Sequence, residues 1–309
     1  MSAMRERGFS VIMAAYQHGP YIREAIEGVL MQRTDRPIQL LVGEDGSNDG
    51  TREICQELAA QHPDRITLLL RDRGDVIHIG GHATGRANVL DMIARAEGAY
   101  LAWCPGDDKW LDPEKLERQV VALESDVSCF GGCHASQVID GQGKVIQELF
   151  RERMPERLTL RDCVAMRSPF HMSSFMVRNS GVMRALPPLV RDVASLDMAL
   201  FTLASNEGDL VCVPGVLSAY RKHGSGITEH STHLGDGIHR MRVAMWLQLR
   251  RHFAPSHADV FDAVIAQHLM SMAASRVDLA TIGARVRLMS GHASYFLAHP
   301  RQALALLGV

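Results

Sequence analysis

Two adjacent aspartates, Asp107 and Asp108, stand just after an apolar run, residues 100–104, that stops at the turn pair Pro105-Gly106. Carboxylates side by side repel each other unless a cation joins them. A divalent metal carrying a diphosphate meets that need, because Mg²⁺ favours one or two carboxylates together with substrate phosphates. The run reads as a buried strand, and the carboxyl end of a strand is where open α/β sheets bind ligands. The competing assignment is a solvated acidic turn that leads into the next helix, with Asp112 as N-cap and Pro113 in the first turn.

The elements that would position this pair follow from periodicity. Residues 9–14 read as a first strand. Residues 21–32 read as an amphipathic helix with Ile22, Ala25, Ile26, Val29 and Leu30 on one face. Strands at 38–43 and 66–70 and a helix at 52–61 complete a β-α-β-α-β order, which predicts a parallel sheet with helices on its faces. Residues 71–85, with Gly74, Gly80, Gly81 and Gly85, read as a loop of a length that is more often functional than idle. Helices at 88–96 and 113–124 flank the Asp107-Asp108 strand.

The second half changes rhythm. Strands are predicted at 128–133, 135–139, 173–177, 209–214 and 216–220, with helices at 158–166 and 195–205. Beyond about residue 230 the pattern is helical. Ile238, Met241, Met245 and Leu249 form one stripe, and Val260, Phe261, Val264, Ile265, Leu269 and Met272 form another. A third helix is expected at 282–297 and a fourth after Pro300.

Composition bounds the function. The 309 residues are 46% apolar and 22% charged, with a net charge of −2, which gives no bulk electrostatic case for nucleic acid or an anionic membrane. No apolar signal core follows the short charged start, and no run of about 18 apolar residues is present, so a cytoplasmic protein is expected, at most peripheral at the membrane. Cys104 and Cys212 fall in strand-like runs and Cys55 in a helix, as small buried hydrophobes would in a reducing compartment. Cys129, Cys133 and His134 lack a second pair at zinc spacing.

The segments 9–16, 21–32, 42–51, 96–100 and 106–110, with Lys115, Leu116 and Gln119 behind them, carry a likeness in order and spacing. Together they resemble the glycosyltransferase family 2 enzymes of GT-A fold, strongly over 8–125 and more thinly to about 228. The resemblance implies a nucleotide-diphospho-sugar donor, UDP-sugar most often, a divalent metal (Mn²⁺ or Mg²⁺), and inversion at the anomeric carbon. It implies that Ala15 and Tyr16 flank the base and that Asp45 hydrogen-bonds it. Arg86 and Asn88 would border the nucleotide and phosphates, Asp107 would neighbour ribose and metal, and Asp108 would bind the metal directly. Asp197 would be the catalytic base, and His223 would lie in a C-terminal lid near the metal or diphosphate. The acidic residue expected two positions before Asp107 is replaced by Pro105.

Elementary chemistry accords with several of these roles. Asp45 precedes Gly46, where backbone can approach a flat base closely, while Ser47 to Gly50 suit a helix entry. Arg86 in a glycine-rich stretch suits a phosphate fork or, equally, a surface salt bridge. Asp197, in the otherwise apolar helix start 194–200, could take an acceptor proton; as a plain helix N-terminal carboxylate it would leave Asp192 as the rival. His223 reads as a functional or a solvated loop histidine, and His78, His82 and His171 are open to either.

The expected architecture is a GT-A domain over 1–228, with a nucleotide-sugar half at 8–125 and an acceptor half at 126–228, and a helical extension at 229–309. The expected activity is an inverting glycosyltransferase of the hexosyl or N-acetylhexosaminyl class. Its acceptor would be a saccharide, lipid carrier, peptide or small metabolite, and it would form a homodimer through the C-terminal helices. The alternative is a non-catalytic nucleotide-sugar-binding or scaffold protein on the same fold.

Overall fold

The computed structural model describes residues 7–224, 236–253, 256–273 and 279–307. The chain runs β1 (Phe9–Ala15), α1 (Ile22–Leu30), β2 (Ile38–Glu44), α2 (Thr51–Gln61) and β3 (Ile66–Leu70). A small hairpin, β4 (Ile77–Ile79) and β5 (His82–Thr84), leads to α3 (Arg86–Arg95), β6 (Tyr100–Trp103), β7 (Lys109–Trp110) and α4 (Lys115–Ser125). Next come β8 (Cys129–Ile139), β9 (Val145–Gln147), β10 (Arg157–Leu158), α5 (Leu160–Met166), β11 (Met176–Arg178), α6 (Leu196–Glu207) and β12 (Asp209–Arg221). The helices α7 (Asp236–His252), α8 (Ala258–Ala273), α9 (Leu279–Gly291), α10 (Ala293–Ala298) and α11 (Pro300–Leu307) follow. The domain boundary expected at 228 lies outside the described residues.

The main sheet has the order β10-β12-β8-β11-β6-β1-β2-β3, with β7 on β12 and β9 on β8. β1 pairs in parallel with β2 on one side and β6 on the other. The chain therefore leaves β1 in one direction and returns to its opposite flank, which opens a crevice at the carboxyl ends of β1, β2 and β6. Alternation along β1 sorts its side chains between two cores. Phe9, Val11 and Met13 pack with Ile22, Ile26 and Leu116 of α1 and α4, whereas Ile12 packs with Met92, Ile93 and Leu200 of α3 and α6. In a third core, Trp246, Phe261 and Leu269 of the C-terminal helices join Leu160, Val164 and Leu203 of α5 and α6. The tail thus packs on the body, and among the described residues no helix is long and apolar enough to cross a membrane.

Several predicted elements differ in form. The pairs predicted at 128–133 and 135–139 and at 209–214 and 216–220 are each one strand, β8 and β12. Pro214-Gly215 does not end β12; it produces register shifts between Val213 and Ser218, with Gly215 at φ +105°. The strand predicted at 173–177 begins as a 3₁₀ turn over Met172–Ser174, and only Met176–Arg178 is strand. Local bonds compete there: Ser173 N donates to the His171 ring and Ser174 Oγ donates to the His171 carbonyl. The helix predicted from 113 starts at Lys115, because Asp112 Oδ1 accepts from Glu114 N at 2.7 Å and holds Pro113 in the turn before it. The one predicted from 158 starts at Leu160, where Thr159 and Asp162 form a capping box. The helix predicted at 282–297 is two, α9 and α10, broken at His292. The glycine-rich loop 71–85 contains the β4–β5 hairpin.

Cys133 and Cys212 meet across β8 and β12 with Sγ atoms 3.3 Å apart, and all six cysteines are free. One backbone position is especially tight. A Cβ added at Gly43 in β2 would lie 2.0 Å from Asn88 Oδ1, and Asn88 is 1% exposed with its Nδ2 donating to the Gly43 carbonyl at 2.6 Å. Gly43→Ala is expected to cost about 1–3 kcal/mol of stability through overpacking, measured by urea unfolding.

Candidate active site

The loop after β1 is shaped by its bonds to the loop after β2. Gln17 sits in the left-handed region at φ +56°, which is uncommon for a non-glycine residue. It is held there by Ser47 Oγ, which accepts from Gln17 N at 3.0 Å, and by Asn48 Oδ1, which accepts from Gln17 Nε2 at 2.7 Å. His18 N then donates to Thr51 Oγ1 at 2.8 Å. On the β2 side, the fully buried Glu44 accepts from Ser47 N and from Arg52. Asp45 N donates to the Ala15 carbonyl at 3.0 Å, which fastens the two strand ends together.

This arrangement brings Ala15, Tyr16 and Asp45 to one side of the crevice. Tyr16 is 38% exposed, with the Arg73 guanidinium 3.5 Å from its ring centre. The same Arg73 lies 3.4 Å from Asp45 Oδ2. Burial raises the Asp45 carboxyl above its usual range despite the pull of Arg73 and Arg71. A flat ring lying along Tyr16 would find at Asp45 an acceptor backed by a cation.

Asp107 and Asp108 follow β6 and are pinned by Arg221 at the end of β12. Arg221 N donates to Asp108 Oδ1 at 2.9 Å and Arg221 Nε donates to the Asp107 carbonyl at 2.9 Å. The two side chains then part. Asp107 faces His223 Nε2 at 3.1 Å and His18 Nε2 at 3.7 Å. Asp108 is 1% exposed and points its Oδ2 toward His171 Nδ1 at 3.5 Å. Burial raises both carboxyls, but the imidazoles of His18 and His223 more than offset it at Asp107, which is held below the ordinary carboxylate range. Asp108, buried beside the Asp107 charge, is pushed well above it. His171 stacks on Tyr220 at 4.1 Å, and burial lowers it to about 4. Lys115 and Gln119 buttress this corner from below: Lys115 Nζ donates to Gln119 Oε1 at 2.8 Å, and Gln119 Nε2 donates to the Ser174 carbonyl at 2.8 Å.

Asp108 was the expected direct ligand, yet one of its oxygens takes the Arg221 amide and the other faces His171. Among the described residues, the group able to hold a cation is His18, Asp107 and His223, whose ligand atoms all lie within 4.8 Å of one another. His18 was missed. Its signal was position alone, two residues after Tyr16 in the loop that leaves β1.

Arg86 is placed differently from a phosphate fork. It is 5% exposed, and its Nη1 donates to the carbonyls of Val190, Arg191 and Val193 at 3.2, 3.2 and 2.6 Å. It therefore anchors the strap that precedes α6. Asn88 is likewise committed to Gly43. His78 and His82 are exposed on the β4–β5 hairpin.

Asp197 lies in the first turn of α6, behind the N-cap Ser195. Its side chain is open to water yet surrounded by protein mass. That partial desolvation raises its carboxyl to about 6, against the pull of Arg86. Asp108 feels the Asp197 charge, so the two carboxyls lie within electrostatic reach of each other. The rival Asp192 is exposed on the strap.

Comparison with known proteins gives the relatives of this chain. Residues 10–185 match the model of Glycosyl transferase family 2. An uncharacterized protein of Mycobacterium tuberculosis is 32% identical over 221 residues, 71% of this chain and 60% of that protein. The putative teichuronic acid biosynthesis glycosyltransferase TuaG of Bacillus subtilis is 32% identical over 155 residues, 50% of this chain and 56% of that protein. The matches thus span less than two thirds of these relatives' own length. Among solved structures, S. aureus TarS in complex with UDP-GlcNAc superposes with a TM-score of 0.59 at 16% identity, covering 92% of this chain and 81% of that one. The mannosyltransferase PcManGT of Pyrobaculum calidifontis, in complex with GDP-Man and Mn²⁺, gives 0.54 at 18% identity, covering 98% and 84%.

Proposed function

This chain belongs to Glycosyl transferase family 2 and has the GT-A fold, and from that premise we propose that it transfers a sugar from a nucleotide-diphospho-sugar to an acceptor hydroxyl with inversion. The observation that carries the reading is Asp197 within electrostatic reach of Asp108, with its carboxyl raised to about 6. A base so tuned is ionised at neutral pH and still basic enough to take a hydroxyl proton.

The roles follow from position. Tyr16 and Asp45 take the base, uracil by preference. Asp107 and His223 face the diphosphate end, where their donor atoms, 3.1 Å apart, fit a divalent cation. Such a cation, when bound, neutralises the charge that develops on the leaving diphosphate. Asp197 removes the acceptor proton as its oxygen attacks the anomeric carbon from the face opposite the diphosphate. Arg86 keeps Asp197 in place by holding the strap that leads to it. A Cβ on Gly80, at the tip of the β4–β5 hairpin, would lie 2.6 Å from Met241 Sδ of α7, so hairpin and tail are in contact.

Calorimetry of the full chain with Mn²⁺ and a panel of UDP- and GDP-sugars tests the reading. One saturable site for a UDP-sugar is expected, weakened about ten- to a hundredfold in Asp45→Ala by loss of one charge-assisted hydrogen bond. Absence of heat with every nucleotide sugar would overturn it.

A further inference from the structure

The three groups at the cation site are held by independent parts of the fold. His18 is fixed through its backbone, whose carbonyl accepts from Tyr21 N and Ile22 N at 2.8 Å each. Its ring lies against Gly106, where an added Cβ would come within 2.8 Å of Nδ1, so only glycine lets it approach the Asp107 loop. The His223 side chain is 4% exposed and packs on Tyr21 with ring centres 5.0 Å apart. Asp107 is held by Arg221 through its own carbonyl. No group has to swing in for the three to converge.

The separations match a shared ion. Bonds of about 2.0–2.2 Å to one metal place ligand atoms about 3–4 Å apart. The observed Nε2–Oδ2 distances are 3.1 and 3.7 Å. Two of the three donors are imidazoles, and donor type decides which cation gains most. Carboxylate, phosphate and water suit Mg²⁺, whereas imidazole suits first-row transition metals, whose affinities rise from Mn²⁺ through Co²⁺ to Ni²⁺.

We propose that His18, Asp107 and His223 form a preassembled centre of two imidazoles and one carboxylate, which binds a transition-metal dication before the nucleotide sugar arrives and discriminates against Mg²⁺. This rests on the transferase reading only for the use made of the ion; the metal binding itself does not require that reading. His18 is the residue that sets the preference. Without it, the site is one imidazole and one carboxylate and depends on the diphosphate to complete the coordination.

The test is titration of the metal-stripped full chain with Mg²⁺, Mn²⁺ and Co²⁺ in the absence of nucleotide. Binding is followed by calorimetry and by the visible absorption of bound Co²⁺. Affinity is expected to rise in that order, with Mn²⁺ at least about tenfold above Mg²⁺. His18→Ala should lose about ten- to a hundredfold for Co²⁺ and Mn²⁺ and flatten the order. Its thermal midpoint in chelator should equal that of the parent, and His18→Gln should behave alike. His78→Ala, on the exposed hairpin, should bind as the parent does. Equal affinity for Mg²⁺ and Mn²⁺, unchanged Co²⁺ binding in folded His18→Ala, or binding only when nucleotide is added would each overturn the proposal. Nucleotide-sugar heats on the same preparations keep the two readings apart. Co²⁺ bound through His18 without any nucleotide-sugar binding would sink the transferase reading and leave this one standing. Nucleotide-sugar binding by a preparation that takes up none of the three metals on its own would do the reverse.

Discussion

Asp197→Asn is expected to reduce sugar transfer by about 10²–10⁴-fold, the range a positioned general base contributes, while leaving donor affinity nearly unchanged. The amide keeps the size and hydrogen bonding of the side chain but cannot take a proton. The pH profile supplies the second readout. A carboxyl must be ionised to act as base, and crowding by the surrounding protein places that ionisation at about 6. The parent's kcat/KM should therefore fall as pH drops through about 6 and level off above it. The variant's residual rate should lack that limb. Asp192→Asn, on the exposed strap, should leave the profile as it is. A variant at position 197 that keeps the parent's rate would remove the base from the mechanism.

Arg221→Met is expected to lower stability by about 2–4 kcal/mol, measured by urea unfolding. Arg221 is 3% exposed and joins three segments: Nε donates to the Asp107 carbonyl, Nη1 donates to the Asp140 carbonyl at 3.2 Å, and Nη2 pairs with Glu24. Methionine fills much of the volume but leaves two carbonyls without their donor. The loss stays toward the modest end of what a severed buried pair costs, because Glu24 is 46% exposed and retains Lys109 at 2.6 Å. Function should suffer beyond stability, since the Asp107 loop loses the side-chain bond that orients it. Co²⁺ affinity should drop in the folded variant. A variant with parental stability and parental Co²⁺ binding would show that the backbone bond from Arg221 N to Asp108 suffices.

Much of residues 8–125 was legible because its signals are local. Apolar runs with flanking glycines and acids marked β1, β2 and β6, and their alternation with amphipathic helices marked a parallel sheet. Asp45 and Asp107 stand just beyond the carboxyl ends of β2 and β6, as their positions in sequence indicate. Residues 126–228 were less legible, because their long strands are interrupted in the chain and continuous only in space. Pro214-Gly215 reads as a break in isolation, yet β8 holds the strand together on both sides of the bulge.

By itself the chain determined β1, β2, β3 and β6 and, to within a residue, where they end, and hence that Asp45, Asp107 and Asp108 follow strand ends of one sheet. These depend on spacing of two and 3.6 residues and on turn chemistry, which neighbours in sequence decide. Only the tertiary structure decided that Asp107 gathers with His18 and His223 into a group able to hold a cation, and that Arg86 bonds the carbonyls of the strap before α6. Those outcomes turn on which partner reaches a group first across 100 residues or so. Arg221 captures Asp108, 113 positions away, and two imidazoles from opposite parts of the chain converge on Asp107.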